Sequence, residues 1–260
     1  MAYQAYQTDP EGRRELSWAW HALDGRVNDN YHFSDRYFAS FPAGAIVADV
    51  GCGNGWALQV LLDRGCRGIG MEVDDGALLE ARAAGRPVVK AGAEALPLGT
   101  ESVDGIIFAG VQPFTEEDAA FAELARILRP GGRIEAYYLG IGFAVRDMVM
   151  GVNLRKRYFG LRALVNTILM HTIARKLPGK FGDTVYTSHR RLAKLYARHG
   201  FVLRRHTPSP TFIGMSVFIY HSVERVGDPL RRTKPPGLTV PAFDTAPPAA
   251  GATLQRAADR

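Results

Sequence analysis

Residues 46 to 55 read Ile-Val-Ala-Asp-Val-Gly-Cys-Gly-Asn-Gly, an apolar run ending in an acid, then a loop with glycine at every other position. The run predicts a buried parallel strand, and the loop predicts a turn where a ligand lies directly against the backbone. Gly51, Gly53 and Gly55 permit positive φ and carry no Cβ to obstruct that approach. A helix expected from about Trp56 to Arg64 points its unpaired N-terminal N–H groups at the same spot. The ligand expected from this stretch is nucleotide-like.

A second segment, Gly-Ile-Gly-Met-Glu-Val-Asp-Asp from Gly68, sets Glu72 at the tip of a second short strand, 23 residues after Asp49. An acid at that tip is placed to accept hydrogen bonds from both hydroxyls of a ribose, which fits NAD as well as an adenosyl cofactor. Three further segments narrow the choice. They read Val-Lys-Ala-Gly-Ala-Glu-Ala-Leu-Pro-Leu over residues 89 to 98, Ser-Val-Asp-Gly-Ile-Ile-Phe over 102 to 108, and Glu-Leu-Ala-Arg-Ile-Leu-Arg-Pro-Gly-Gly-Arg-Ile over 123 to 134. In this order and spacing, residues 45 to 140 resemble the class I S-adenosylmethionine-dependent methyltransferases, especially the branch of quinone-pathway and natural-product small-molecule enzymes.

The resemblance implies S-adenosyl-L-methionine as cofactor and gives individual residues work. Asp49 would lie below the methionine part and order the loop, Gly51, Gly53 and Gly55 would pack against the cofactor, and Glu72 with Val73 beside it would hold the ribose. Ala93 would offer its backbone N–H to the adenine, and Ala109 to Val111 would line the end of the fourth strand. Family members commonly carry Asp where this chain has Gly92, so Glu94 or a backbone carbonyl takes the adenine amino group in this reading. Many relatives also carry a histidine pair after the fourth strand. Here Gln112 and Pro113 stand there, which excludes any mechanism relying on that pair.

Methyl transfer from a sulfonium is an in-line displacement whose difficult chemistry belongs to the cofactor. The protein aligns the nucleophile, excludes water and, where needed, removes a proton. The candidate bases are His32 and His171, because histidine titrates near neutrality, and Tyr138 at the end of the fifth strand is a candidate to orient the substrate. His189 and His199 are assigned to an outer helix, and no metal site is expected.

The net charge of +6 conceals an uneven distribution. Residues 1 to 140 hold 12 Lys and Arg against 20 Asp and Glu, whereas residues 141 to 206 hold 14 against 2. The basic segment mixes Phe143, Met148, Met150 and Leu154 with Arg146, Arg155, Lys156 and Arg157. Three roles are open for it: the roof of a pocket for a small lipophilic or anionic acceptor, a peripheral contact with an anionic membrane through residues 141 to 180, or a homo-oligomer interface. On the first role the acceptor is methylated at oxygen or carbon, and on the second it is a membrane-associated lipid, quinone or prenyl diphosphate. After the fourth strand the chain reads Ala-Gly-Val-Gln-Pro-Phe rather than the Asn/Asp-Pro-Pro-aromatic of nucleobase amino-methylating enzymes, which argues against a nucleic-acid substrate. A non-catalytic binding subunit is disfavoured by the intact glycine loop and Glu72.

Cys52 and Cys66 are the two cysteines, and no disulfide framework is expected; both are read as reduced thiols of a cytoplasmic protein. The first residues have neither a basic start nor an apolar core and do not read as a signal peptide. The longest charge-free stretch of the basic segment, Ala163 to Ala174, has 12 residues, whereas a spanning helix needs about 20.

Strand and helix patterns alternate from residue 46 to residue 139 and resume with a helix near 188 to 199, a strand at 201 to 206 and a last strand at 215 to 223. Alternation of this kind predicts an α/β fold, and the resemblance makes it a Rossmann-like, seven-stranded, mostly parallel sheet with helices on both faces. The expected organisation is an aromatic helical lid over residues 1 to 44, a methyltransferase domain over 45 to 225 with a two-helix substrate cap at 141 to 187, and a disordered tail over 226 to 260. That tail holds six prolines and few large apolar side chains.

Overall fold

The computed structural model describes residues 40–173, 175, 177, 184–207 and 210–227. Most of the expected lid, including His32, and nearly all of the expected tail lie outside those residues. From Ile46 the chain alternates as its hydrophobic periods require: β1 (Ile46–Val50), α1 (Trp56–Asp63), β2 (Arg67–Glu72), α2 (Asp75–Ala83), β3 (Val88–Lys90), β4 (Val103–Ala109), a 3₁₀ turn (Gln112–Phe114), α3 (Glu117–Ile127) and β5 (Leu128–Leu139). Then come α4 (Ile141–Met150), α5 (Leu154–Ile173), α6 (His189–Arg198), β6 (Phe201–Thr207), the short β7 (Thr211–Phe212) and β8 (Met215–Ser216), and β9 (Phe218–Arg225).

Seven strands form one sheet in the order β3-β2-β1-β4-β5-β9-β6. All pairings are parallel except those of β9, which runs antiparallel to both β5 and β6. Strand order reverses between β1 and β4, so the crevice beyond their carboxyl ends is where an open α/β sheet accommodates a ligand. Asp49 lies beside Gly70 of β2 and Ile107 of β4 in the ladders, which brings three strand ends to that one edge.

Local chemistry sets the helix boundaries. The side chains of Asp74, Glu116 and Ser188 each accept a backbone N–H of the first turn of α2, α3 and α6. Such a cap is worth about 1 kcal/mol. Gly200, at φ 75°, takes the left-handed position that the sequence predicts just past α6. The main core runs between the sheet and α3 and α6, with Phe108, Phe121, Leu124, Tyr138, Leu192 and Tyr196 buried together. Burying each large side chain stabilises the fold by about 1.5–3 kcal/mol.

Two boundaries differ from the sequence reading. β5 starts at Leu128 rather than near residue 133, because Pro130-Gly131-Gly132 is a loop-out within the strand: Val103 pairs with Leu128, and Gly105 already pairs with Arg133. Met215 and Ser216 leave the last strand and pair with Phe212 and Thr211, across a turn with Ile213 and Gly214 at φ 49° and 71°. This ribbon abuts the start of α4, where a Cβ at Gly140 would lie 2.1 Å from the Ser216 carbonyl oxygen.

The insert leaves the sheet and returns to it at one place. Gly140 forms a parallel bridge with Thr187, the Ile141 N–H donates to the Thr187 carbonyl at 3.1 Å, and the Thr187 N–H donates to the Leu139 carbonyl at 3.1 Å. Between these points, α4 packs against α5. Among the described residues, no helix is long and apolar enough to cross a membrane.

Candidate methyl-donor site and its acceptor side

The glycine loop is held by backbone bonds. The N–H groups of Gly51 and Cys52 both donate to the Met71 carbonyl, at 2.7 and 3.0 Å. Gly51 has φ 72°, and a Cβ there would lie 2.2 Å from Val111 Cγ2, so glycine at this position lets Val111 close over the loop. At Gly53, with φ 56°, a Cβ would meet nothing within 4 Å, so this residue presents bare backbone to open space. Gly55, also left-handed at φ 77°, is the residue before α1 and lies against Arg86. The Arg86 guanidinium donates to the Asn54 carbonyl at 2.6 Å and fastens the loop from the α2 side.

Glu72 is buried at the end of β2 and gathers three backbone donors. Gly53 N–H reaches its Oε2 at 2.8 Å, and the N–H groups of Val73 and Asp74 reach Oε1 at 2.7 and 3.0 Å. A carboxylate offers about four lone-pair positions. Oε2 therefore keeps one for a hydroxyl donor, while a second hydroxyl has to share with Gly53. The acid expected to hold a ribose is thus also a structural tie between the glycine loop and β2, and Val73 beside it is exposed.

Asp49 is buried next to that tie, and its Oδ2 has no hydrogen-bond partner. Burial, and then the negative charge of Glu72, push its pKa up to about 7, against the pull of the Leu58 backbone N–H. A buried carboxyl that is half ionised at neutral pH and has one oxygen unmet suits a cation. The ammonium and sulfonium of S-adenosylmethionine are cations, and the orphaned oxygen, the bare Gly53 backbone and the remaining Glu72 lone pair fit that molecule.

At the adenine end, Glu94 Oε2 lies 3.0 Å from where a Cβ at Gly92 would stand. This side chain is exposed, and its Oε1 accepts the Glu116 N–H at 2.9 Å, at the start of α3. Oε1 is tied to that end of the helix, and Oε2 is the oxygen beside Gly92. Ala93 is buried in the main core, and Ala109 and Val111 are half-buried at the exit of β4. Between them Gly110, at φ 74°, donates its N–H to the Tyr137 carbonyl at 2.8 Å.

Of the expected catalytic residues, His32 lies outside the described residues. Tyr138 is corrected: it is fully buried in the main core, its hydroxyl accepts from Tyr196 at 3.1 Å, and burial raises its pKa well above the ordinary tyrosine value. Because strand side chains alternate between faces, its neighbour Tyr137 points towards the insert instead, packing with Phe143, Tyr186 and Phe218. His171 ends α5, half-buried, with Nε2 enclosed and without a hydrogen-bond partner. Burial, then the nearby charge of Arg191, lower its pKa, so the ring is neutral at pH 7.

The residues around His171 had no functional signal in the sequence beyond the odd Gln112. Gln112 is buried, its Nε2 donates to Glu117 at 2.5 Å, and Arg191 Nε donates to the other oxygen of Glu117 at 2.6 Å. Gln112 Oε1 is enclosed without a partner. The exit of β4, the start of α3 and the start of α6 therefore meet in one polar wall, and His171 near the end of α5 lies within electrostatic reach of its Arg191 and Glu117. A cavity of about 430 Å³ lined by Arg133, Glu135, Arg205 and Glu224 includes no residue of this wall or of the donor site.

A glycine loop, an acid at the end of β2 and the 3-2-1-4-5 strand order with an antiparallel seventh strand define the class I methyltransferase fold. In keeping with this, residues 48–136 match the family described as a methyltransferase domain. Solved structures similar to the chain include an S-adenosylmethionine-dependent methyltransferase from Mesorhizobium loti, with 19% identity, a TM-score of 0.55 and coverage of 74% of this chain and 96% of that one. Another, from Methanosarcina mazei, has 16% identity, a TM-score of 0.53 and coverage of 72% and 95%. A third is the chain bound to the Trm112 methyltransferase activator of Haloferax volcanii, with 19% identity, a TM-score of 0.53 and coverage of 82% and 98%. At these identities the likeness is one of fold. No curated protein matches the chain. Residues 48–136 thus carry the sequence of a methyltransferase domain, the fold around them is that of class I S-adenosylmethionine-dependent methyltransferases, and the donor-site residues fit S-adenosylmethionine as the cofactor.

Proposed function

We propose that the protein methylates an oxygen or carbon nucleophile of a small lipophilic acceptor held between the exit of β4 and the α4–α5 insert. The observation that carries this reading is the pair of enclosed, unpartnered polar atoms on the shared wall, Gln112 Oε1 and His171 Nε2. Leaving buried polar atoms unmet costs about 1–3 kcal/mol each, so a wall that keeps two of them has use for a ligand that pairs with them. Neutral His171 has a lone pair to take the proton of the nucleophile, and Gln112 Oε1 accepts from a donor on the acceptor molecule. When bound, the cofactor supplies an activated methyl on its sulfonium, and the chain supplies alignment and a proton acceptor.

The test is conversion of S-adenosylmethionine to its demethylated product over a panel of phenolic, quinol and enol acceptors, with wild type and His171→Gln compared at saturating cofactor. Loss of turnover with unchanged cofactor affinity supports the reading. Equal turnover in the variant, with every acceptor that reacts, rejects it.

A second reading has its own observation. At the turn from α4 to α5, Met150, Val152 and Leu154 are 64%, 82% and 82% exposed, immediately before Arg155, Lys156 and Arg157. Apolar tips beside arginines suit the headgroup zone of an anionic bilayer, from which a lipid, quinone or prenyl diphosphate acceptor would enter. Co-sedimentation with phosphatidylglycerol vesicles at low salt, lost in a Val152→Asp, Leu154→Asp double variant, is the outcome this reading requires. Absence of co-sedimentation eliminates it.

A further inference from the structure

At the other end of the sheet from the glycine loop, three histidines from three separate elements meet. His206 of β6 and His221 of β9 are directly opposite in the antiparallel ladder, which puts both rings on one face. His189, the first residue of α6, comes down onto them from the helix that covers this face. Their ring centroids are 4.7 Å (His189–His206), 5.2 Å (His189–His221) and 5.6 Å (His206–His221) apart. One ligating nitrogen from each lies within 4.8 Å of the others, and His189 Nδ1 is 3.1 Å from His221 Nε2.

These spacings have a reference. With metal–nitrogen bonds of about 2.0–2.1 Å at tetrahedral angles, two imidazole nitrogens are separated by about 3.3 Å and their ring centroids by roughly 5.2 Å. The three observed centroid distances bracket that value, and the closest nitrogen pair is close to its counterpart. The outer ring nitrogens are arranged to match. Tyr196, which donates to Tyr138 at 3.1 Å, also meets His221 Nδ1 at 2.9 Å, which leaves Nε2 facing the cluster. His189 Nε2 meets the Ser216 hydroxyl at 3.1 Å, which turns Nδ1 inward. Hydrogen bonds on the far nitrogen fix the orientation of metal-binding histidines in this way. Burial also lowers the pKa of all three rings, keeping them in the neutral form that offers a lone pair.

We propose that His189, His206 and His221 bind one divalent transition-metal ion of the zinc class, with a fourth position left for water. The ion joins the start of α6, which the chain reaches directly after the insert, to β6 and β9. Through Ser216 it also reaches the ribbon packed on the start of α4. Its place is that of a clamp on the antiparallel edge, which carries the insert, and none of the donor-site residues belongs to it.

The experiment uses the untagged full chain, stripped with a chelator, and titrates it with Zn²⁺ by calorimetry and with Co²⁺ by visible absorption. The expected result is one ion per chain, a tetrahedral Co²⁺ spectrum, and a melting temperature that rises with Zn²⁺. Losing an outer hydrogen-bond partner alone weakens metal affinity by about 10–100-fold, so Tyr196→Phe should lose roughly tenfold, and His206→Gln at least 100-fold. His199→Gln, a histidine paired with Asp118 at the other end of α6, should bind like wild type. Circular dichroism and cofactor binding confirm that each variant is folded. Absence of saturable binding in wild type, or binding that survives in folded His206→Gln and His221→Gln, overturns the proposal and leaves three neutral rings packed for shape.

Discussion

The glycine-loop side and the Gln112 side of the β1–β4 crevice are held by different kinds of bond. On the donor side the chain relies on its backbone: amides of Gly51 and Cys52 on a strand carbonyl, and amides of Gly53, Val73 and Asp74 on Glu72. On the Gln112 side the ties run from side chain to side chain, from Gln112 to Glu117 and from Glu117 to the distant Arg191. A backbone-held site tolerates changes in most side chains and binds one invariant ligand. A side-chain wall changes with every substitution, which suits the half of the reaction that differs between enzymes.

This contrast can be broken by experiment, and the largest effect is expected on the side-chain wall. His171→Ala should reduce kcat by about 10²–10⁴-fold, the span of general-base catalysis, with cofactor affinity unchanged by calorimetry. A drop in cofactor affinity instead would show that His171 serves the donor side. Next in size, Glu72→Ala should weaken cofactor binding by roughly 100-fold, since charge-assisted bonds to the ribose are worth about 1.5–3 kcal/mol. The melting temperature of the ligand-free chain should also fall, because three amides lose their acceptor. An unchanged melting temperature would mean that the loop does not depend on the acid.

Asp49 yields a pH signature of intermediate size. Its pKa is raised to about 7 from an ordinary carboxylate value, so the stability it contributes is fully present in acid and lost as pH rises through 7. Asp49→Asn should therefore raise the melting temperature of the ligand-free chain above pH 7 and leave it nearly unchanged at pH 4. A cationic cofactor prefers the ionised form, so wild-type affinity should fall by about tenfold for each pH unit below 7 while that of Asp49→Asn stays flat. Parallel curves would place the cations elsewhere. The smallest effect belongs to Arg86→Ala, which removes one hydrogen bond from the Asn54 carbonyl and should weaken cofactor binding by about 1 kcal/mol, roughly fivefold.

The same difference in bonding decided what could be read from the sequence. Glycine spacing, an acid at a strand tip and alternating apolar periods are local patterns, and they located β1, the loop, Glu72 and the α/β alternation, while the seven-stranded sheet followed from the family resemblance. Tyr138 was misjudged because strand parity decides which of two adjacent tyrosines faces the insert, and a residue pair carries no mark of parity. The tie of Glu94 to the Glu116 amide, 22 residues away, carried no mark in the sequence either. Pro130-Gly131-Gly132 reads as a turn ahead of a strand, and only the pairing of Leu128 with Val103 shows it to be an interruption within one. The three histidines of the antiparallel edge have no sequence spacing in common, since two strands and a helix bring them together.

The bridge between Gly140 and Thr187 gives the architecture a modular joint. Because the insert departs and returns at two hydrogen-bonded neighbours, its length and content are decoupled from the order of the strands. A lineage can therefore exchange this cassette as one piece while the sheet and the glycine loop stay as they are.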